Sequence, residues 1–122
     1  MAYKSGTDLV NEAKQRIREV TPREVLEMQR QNAAVIYLDV REPNEWNLGR
    51  LPNAMHIPLS QLKERGVELA KFVSRPVIVY CDRGLRGGPA ASALTKLGFT
   101  RVQSLRGGLR AWKDAGLPVQ KI

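Results

Sequence analysis

Two short stretches, "AVIYLDV" and "PVIVYC", are the most apolar in the chain, and both are rich in β-branched and aromatic residues. Each is bounded by polar residues and has the length of a strand buried on both faces, as in a parallel sheet. "RVQSL" is a weaker third run. A loop and then helix-compatible sequence follow each of the first two, and this alternation predicts an α/β layer fold with a mainly parallel sheet. Upstream, Leu9, Val10, Ala13 and Ile17 recur at helical spacing between Asp8 and Glu19, predicting an amphipathic helix that lies on the main body. Thr21, Pro22 and Glu24 then form a capping-box signature, which predicts a helix from Pro22 to about Arg30. Beyond "DRGLRGG", Pro89 suits a first helical position and Gly98 the residue just past a helix end. Ala90, Ala91, Ala93, Leu94 and Leu97 give that helix a small apolar packing face.

A chain of 122 residues with no repeat, low-complexity tract or Pro/Ser-rich linker reads as one domain with an N-terminal extension. Its apolar runs fall far short of the roughly twenty residues that span a bilayer. The charged N-terminus lacks the apolar core of a secretory signal, so the expectation is a cytoplasmic protein without a membrane partner. The formal net charge of +8 invites a phosphate-binding reading. Lysines and arginines are nevertheless spread from Lys4 to Lys121, with no basic run and no aromatic-interleaved stripe for stacking bases. A solvated basic surface that favours small anionic substrates is expected, and nucleic-acid binding is not.

The one cysteine, Cys81, excludes an internal disulfide. It stands at the C-terminal end of a predicted parallel strand, the edge where α/β proteins usually bind ligands. The segment from Asp82 to Gly88 holds three glycines, Gly84, Gly87 and Gly88, which can turn successive N–H groups inward at a helix N-terminus. Such a ring favours a sulfur anion over a neutral thiol, which makes Cys81 a candidate nucleophile. Arg83 and Arg86 add positive charge able to hold an oxyanion. Buried cysteines are often inert core filler, but core filler needs no glycine-rich loop.

Four segments carry a resemblance to a known family: "LDVREPNEW", with Asp39, Arg41 and Glu45; "GRLPNAMHIPL"; "VYCDRGLRGGPAASALTKLGF"; and "VQSLRGGLRAWKDAGLPV". In this order and spacing the chain resembles the rhodanese-like sulfurtransferases over nearly all of its length after Val20. The resemblance implies a rhodanese-like α/β domain over residues 21–122, preceded by a helical extension over 1–20. It also implies a five-stranded, mainly parallel sheet flanked by helices on both faces, with the active-site loop after the fourth strand. Cys81 would carry sulfane sulfur as a persulfide, cradled by Asp82, Arg83, Gly84, Leu85, Arg86 and Gly87. Thiosulfate or a persulfide would be the donor and cyanide or a cellular thiol the acceptor, without metal or organic cofactor. Related phosphatases of this architecture have a loop one residue longer, whereas Cys81 and Arg86 bound six residues here, the length suited to sulfur transfer. A phosphatase or arsenate reductase therefore ranks behind, and the alternative of a different class is a non-catalytic module that senses sulfur or oxidants or docks a partner.

Asp39, Arg41 and Glu45 are read as supporting residues, with Arg41 and Glu45 paired near the mouth of the site to hold the loop. His56, the single histidine, is given a packing or surface role, and with one cysteine it makes a structural zinc site improbable. Trp46 and Trp112 are both read as core. The "RGG" turn, Arg106–Gly108, is read as a tight turn before the last helix, near the active-site edge. Asp82 beside the cysteine opposes a sulfur anion, which leaves donor preference open.

Overall fold

The computed structural model of the chain describes residues 18–31 and 34–121. Five strands, β1 (Arg18–Val20), β2 (Ile36–Asp39), β3 (Met55–His56), β4 (Val77–Tyr80) and β5 (Val102–Leu105), form one sheet in the order β1-β5-β4-β2-β3. Every pairing in it is parallel. The helices are α1 (Pro22–Gln31), α2 (Pro43–Leu48), α3 (Leu62–Arg65), α4 (Gly87–Lys96) and α5 (Gly108–Asp114), with 3-10 turns over Leu59–Gln61 and Gly66–Phe72.

The apolar runs become central strands because both of their faces are covered. Leu38, Val77 and Val79 pack with Leu62 of α3 and with Ala90, Ala91 and Leu94 of α4. Tyr37, Ile78 and Tyr80 point the other way, onto Val25 of α1 and Leu109 and Trp112 of α5. This period-two division is the pleat of the strand, and burial on both sides accounts for the unbroken hydrophobicity of β4. The capping box at α1 forms as the sequence predicts: the Glu24 N–H donates to Thr21 Oγ1 at 3.2 Å, and the Thr21 N–H donates to Glu24 Oε1 at 3.0 Å.

Two elements differ from the sequence reading. The helix predicted over Asp8–Glu19 lies outside the described residues except at its end, where Arg18 and Glu19 are strand, not helix. They extend with Val20 along β5, with Arg18 opposite Gln103 and Val20 opposite Leu105. The open backbone edge of β5 outweighs the local helical periodicity, so the sheet takes in three residues that the pattern assigns to the extension. Pro89 is the third residue of α4 rather than the first, because the helix already begins at Gly87. Gly98 does lie just past its end, with φ of 101°. Among the described residues, no helix is long and apolar enough to cross a membrane.

Candidate active site

β4 is the fourth strand in chain order, and Cys81 follows its last residue directly. The thiol side chain belongs to the core on the α4 face and is only 1% exposed, so it forms the floor of the loop that follows. Its sulfur accepts two backbone hydrogen bonds, from the Gly84 N–H at 3.0 Å and the Arg86 N–H at 3.2 Å. The curl that aims both amides inward requires φ of 92° at Gly84, a left-handed conformation that disfavours side chains. Arg86 is also the N-cap of α4, so the positive end of a ten-residue helix lies beside the sulfur.

The loop is locked from two sides. On one side, the Arg86 guanidinium makes a bidentate pair with Glu45 of α2, at 2.9 Å to each carboxylate oxygen. Arg86 holds the Glu45 carboxyl below its ordinary value, and Glu45 raises Arg86 above the usual arginine value, with the nearby Cys81 sulfur adding in the same direction. Glu45 also accepts the Glu42 N–H at 3.0 Å, so one carboxylate caps α2 and grips the loop. On the other side lies the turn before α5. The Leu109 N–H donates to the Cys81 carbonyl at 2.8 Å and the Arg110 N–H to the Asp82 carbonyl at 3.0 Å. A Cβ at Gly108 would lie 2.4 Å from the Cys81 carbonyl oxygen, so this approach is open only to glycine. Gly87 packs closely on β5, where a Cβ would lie 2.1 Å from Ser104 Oγ.

The supporting residues sit in this frame, but not with the partners read from sequence. Arg41 does not pair with Glu45. It pairs with Asp39, its Nη2 lying 2.7 Å from Asp39 Oδ2, both side chains essentially buried. Arg41 lies in the bend just past β2, where its own N–H donates to Asp39 Oδ1 at 2.9 Å, so this local turn holds the two side chains together and leaves Glu45 for Arg86. Burial opposes the Arg41 charge, yet the hydrogen bonds and charge of Asp39 outweigh it and raise the guanidinium above its ordinary value. Arg41 also donates to the Gly49 carbonyl, closing the segment that carries α2 onto the sheet. Tyr80 accepts the Leu51 N–H at 3.1 Å, and burial next to the Asp39 charge pushes its phenol well above the usual range.

His56 is a packing residue, as its sequence context suggests: its Nε2 lies 2.8 Å from the Arg41 carbonyl and its ring stacks on Trp46 with centroids 4.6 Å apart. Trp112 is core, whereas Trp46 is only half-buried between His56 and the Arg50 guanidinium. Within the loop, Arg86 is engaged by Glu45, and exposed Arg83 lies 3.8 Å from Asp82. Leu85 at the loop tip is 84% exposed. The sequence reading places the Arg106–Gly108 turn at the edge of the site but misses Leu109, Arg110 and Ser104 as parts of it. The consecutive glycines of "RGG" were the available signal for the turn.

A family model described as the rhodanese-like domain matches residues 21–115. The chain belongs to the rhodanese-like domain family. Relatives include the uncharacterized protein YqhL of Bacillus subtilis, 45% identical over 62% of this chain and 58% of that one. A sulfurtransferase of Allochromatium vinosum is 38% identical over 70% of this chain and 78% of its own length. The thiosulfate sulfurtransferase GlpE of Vibrio cholerae is 36% identical over 68% and 76%. The chain thus spans little more than half of YqhL but about three quarters of these two sulfurtransferases. Among solved structures, a rhodanese-related protein of Thermoplasma volcanium superposes with a TM-score of 0.75 at 31% identity, covering 84% of this chain and 97% of that one.

Proposed function

We propose that this rhodanese-like chain is a sulfurtransferase in which Cys81 carries sulfane sulfur as a persulfide. The observation that supports this best is the pair of inward N–H groups on the Cys81 sulfur, from a six-residue loop at a helix N-terminus. Two amides and a helix dipole stabilise a single negative charge on sulfur without a side-chain base. The ionised Cys81 attacks the outer sulfur of a donor such as thiosulfate. A Cys81 S–S bond forms while the donor S–S bond breaks, and sulfite leaves with the electron pair. The terminal persulfide sulfur then takes the place in the cradle held by the anion. Attack on that outer sulfur by cyanide or a thiolate transfers it as thiocyanate or a new persulfide, and the pair returns to Cys81. Asp39, Arg41 and Glu45 are positioning residues in this scheme: Glu45 fixes Arg86, and Asp39 with Arg41 fixes the segment that presents Glu45.

The test is intact-mass spectrometry after brief exposure to thiosulfate, alongside Cys81→Ser. Gain of one sulfur atom by the parent alone, removed by cyanide, is the expected result. If the reduced parent gains no mass from thiosulfate or from a small-molecule persulfide, the proposal fails.

A further inference from the structure

Away from the loop, α3 and α4 enclose a groove of about 560 Å³ lined by Lys63, Pro89, Ser92, Ala93, Lys96 and Leu97. Its walls are largely apolar. Leu97 is 42% exposed and rests over Gly66, where a Cβ would come within 2.3 Å of it. Its two rims are cationic. Among the described residues, neither Lys63 nor Lys96 has a carboxylate within ion-pair distance, whereas the nearby Arg65 is paired with Glu68. No acidic residue lines the groove.

We propose that this groove is a docking site for an acidic amphipathic helix of a partner protein. From Pro89 to Lys96 the wall formed by α4 runs about 10 Å, two helical turns, which matches apolar anchors at i, i+4 and i+7 of a docked helix. Carboxylates flanking those anchors would meet Lys63 on one rim and Lys96 on the other. A second copy of this chain is disfavoured as the occupant, because an isologous contact brings the four lysines together without compensating charge. The groove begins at Pro89, three residues beyond Arg86, so a docked helix lies along the same helix whose N-terminus faces Cys81.

The probe is a synthetic helical peptide with leucines at i, i+4 and i+7 flanked by glutamates, titrated into isotopically labelled full-length protein and followed by amide NMR. Controls are the same peptide scrambled and the peptide with lysines in place of glutamates. Resonance changes confined to Lys63, Ser92, Ala93, Lys96 and Leu97 are expected, with affinity falling at least about tenfold in Lys63→Glu/Lys96→Glu and no binding of either control. That variant should retain the circular dichroism and thiosulfate-to-cyanide activity of the parent, since neither lysine touches the loop. The proposal is overturned by any of three results: no changes in the groove, equal binding of the scrambled peptide, or self-association of the protein through these same residues. The readout is binding, so it is independent of whether Cys81 transfers sulfur.

Discussion

Glu45→Gln isolates the clamp between α2 and the Cys81 loop. The substitution keeps shape and one acceptor but turns an amide toward the Arg86 guanidinium, so the bidentate pair and its charge are lost. A hydrogen bond to a charged group contributes about 1.5–3 kcal/mol when well buried, and an exposed ion pair about 0.2–1 kcal/mol. With side chains 32% and 29% exposed, the Arg86–Glu45 pair lies between these limits, and we expect urea unfolding at pH 7 to show a loss of about 1–2 kcal/mol. If the cradle must be held rigid for transfer, a comparable deficit in the transition state lowers kcat about tenfold. The freed Arg86 charge acts oppositely on binding and should lower KM for an anionic donor. The pH dependence has a definite sign. Arg86 depresses the Glu45 carboxyl, so the pair's contribution is complete above the unfolded carboxyl value near about 4.3 and is lost as pH falls through the folded value. The stability gap between parent and variant should therefore be constant from pH 7 to about 5 and close below about pH 4. A variant with unchanged stability and unchanged kcat would refute the view that this pair holds the loop, and a gap that widens in acid would refute its electrostatic origin.

Asp39→Asn strands the buried Arg41 charge and should cost about 3–5 kcal/mol in thermal or urea unfolding, whereas replacing both residues by apolar ones should be milder. Gly108→Ala forces a Cβ against the backbone of Cys81 and Asp82 at φ of 61°; a loss of about 3 kcal/mol, together with loss of sulfur transfer, is expected from unfolding curves and the thiosulfate-to-cyanide assay. Tyr80→Phe removes the acceptor of a buried N–H and should cost about 1–3 kcal/mol while leaving transfer kinetics near parent values.

The parts of this architecture legible in the sequence are those that local chemistry decides. β2 and β4 announce themselves because strands covered on both faces need unbroken apolar runs, and the Thr21–Glu24 box because both partners lie within one turn. β1 and β3, with three and two residues, carry no such signal. They are strands only because a neighbour supplies the other half of the ladder. Cys81 and its glycines were readable since loop curvature depends on glycine itself. The partners of Arg41 and Glu45 were not. Both acids stand close to Arg41 in sequence, but Glu45 is drawn away by an arginine just beyond β4, a choice made by the packing of α2 against the loop.

The contacts from Leu109 and Arg110 to the carbonyls of Cys81 and Asp82 also set an order of events during synthesis. When the ribosome has made the cysteine loop and α4, the two carbonyls at its base still lack their donors, and the turn that closes them is made only afterwards. A nascent chain arrested before Gly107 would therefore hold its thiol in an unfinished pocket, and chemical competence should arrive with the α5 turn, not with the cysteine itself.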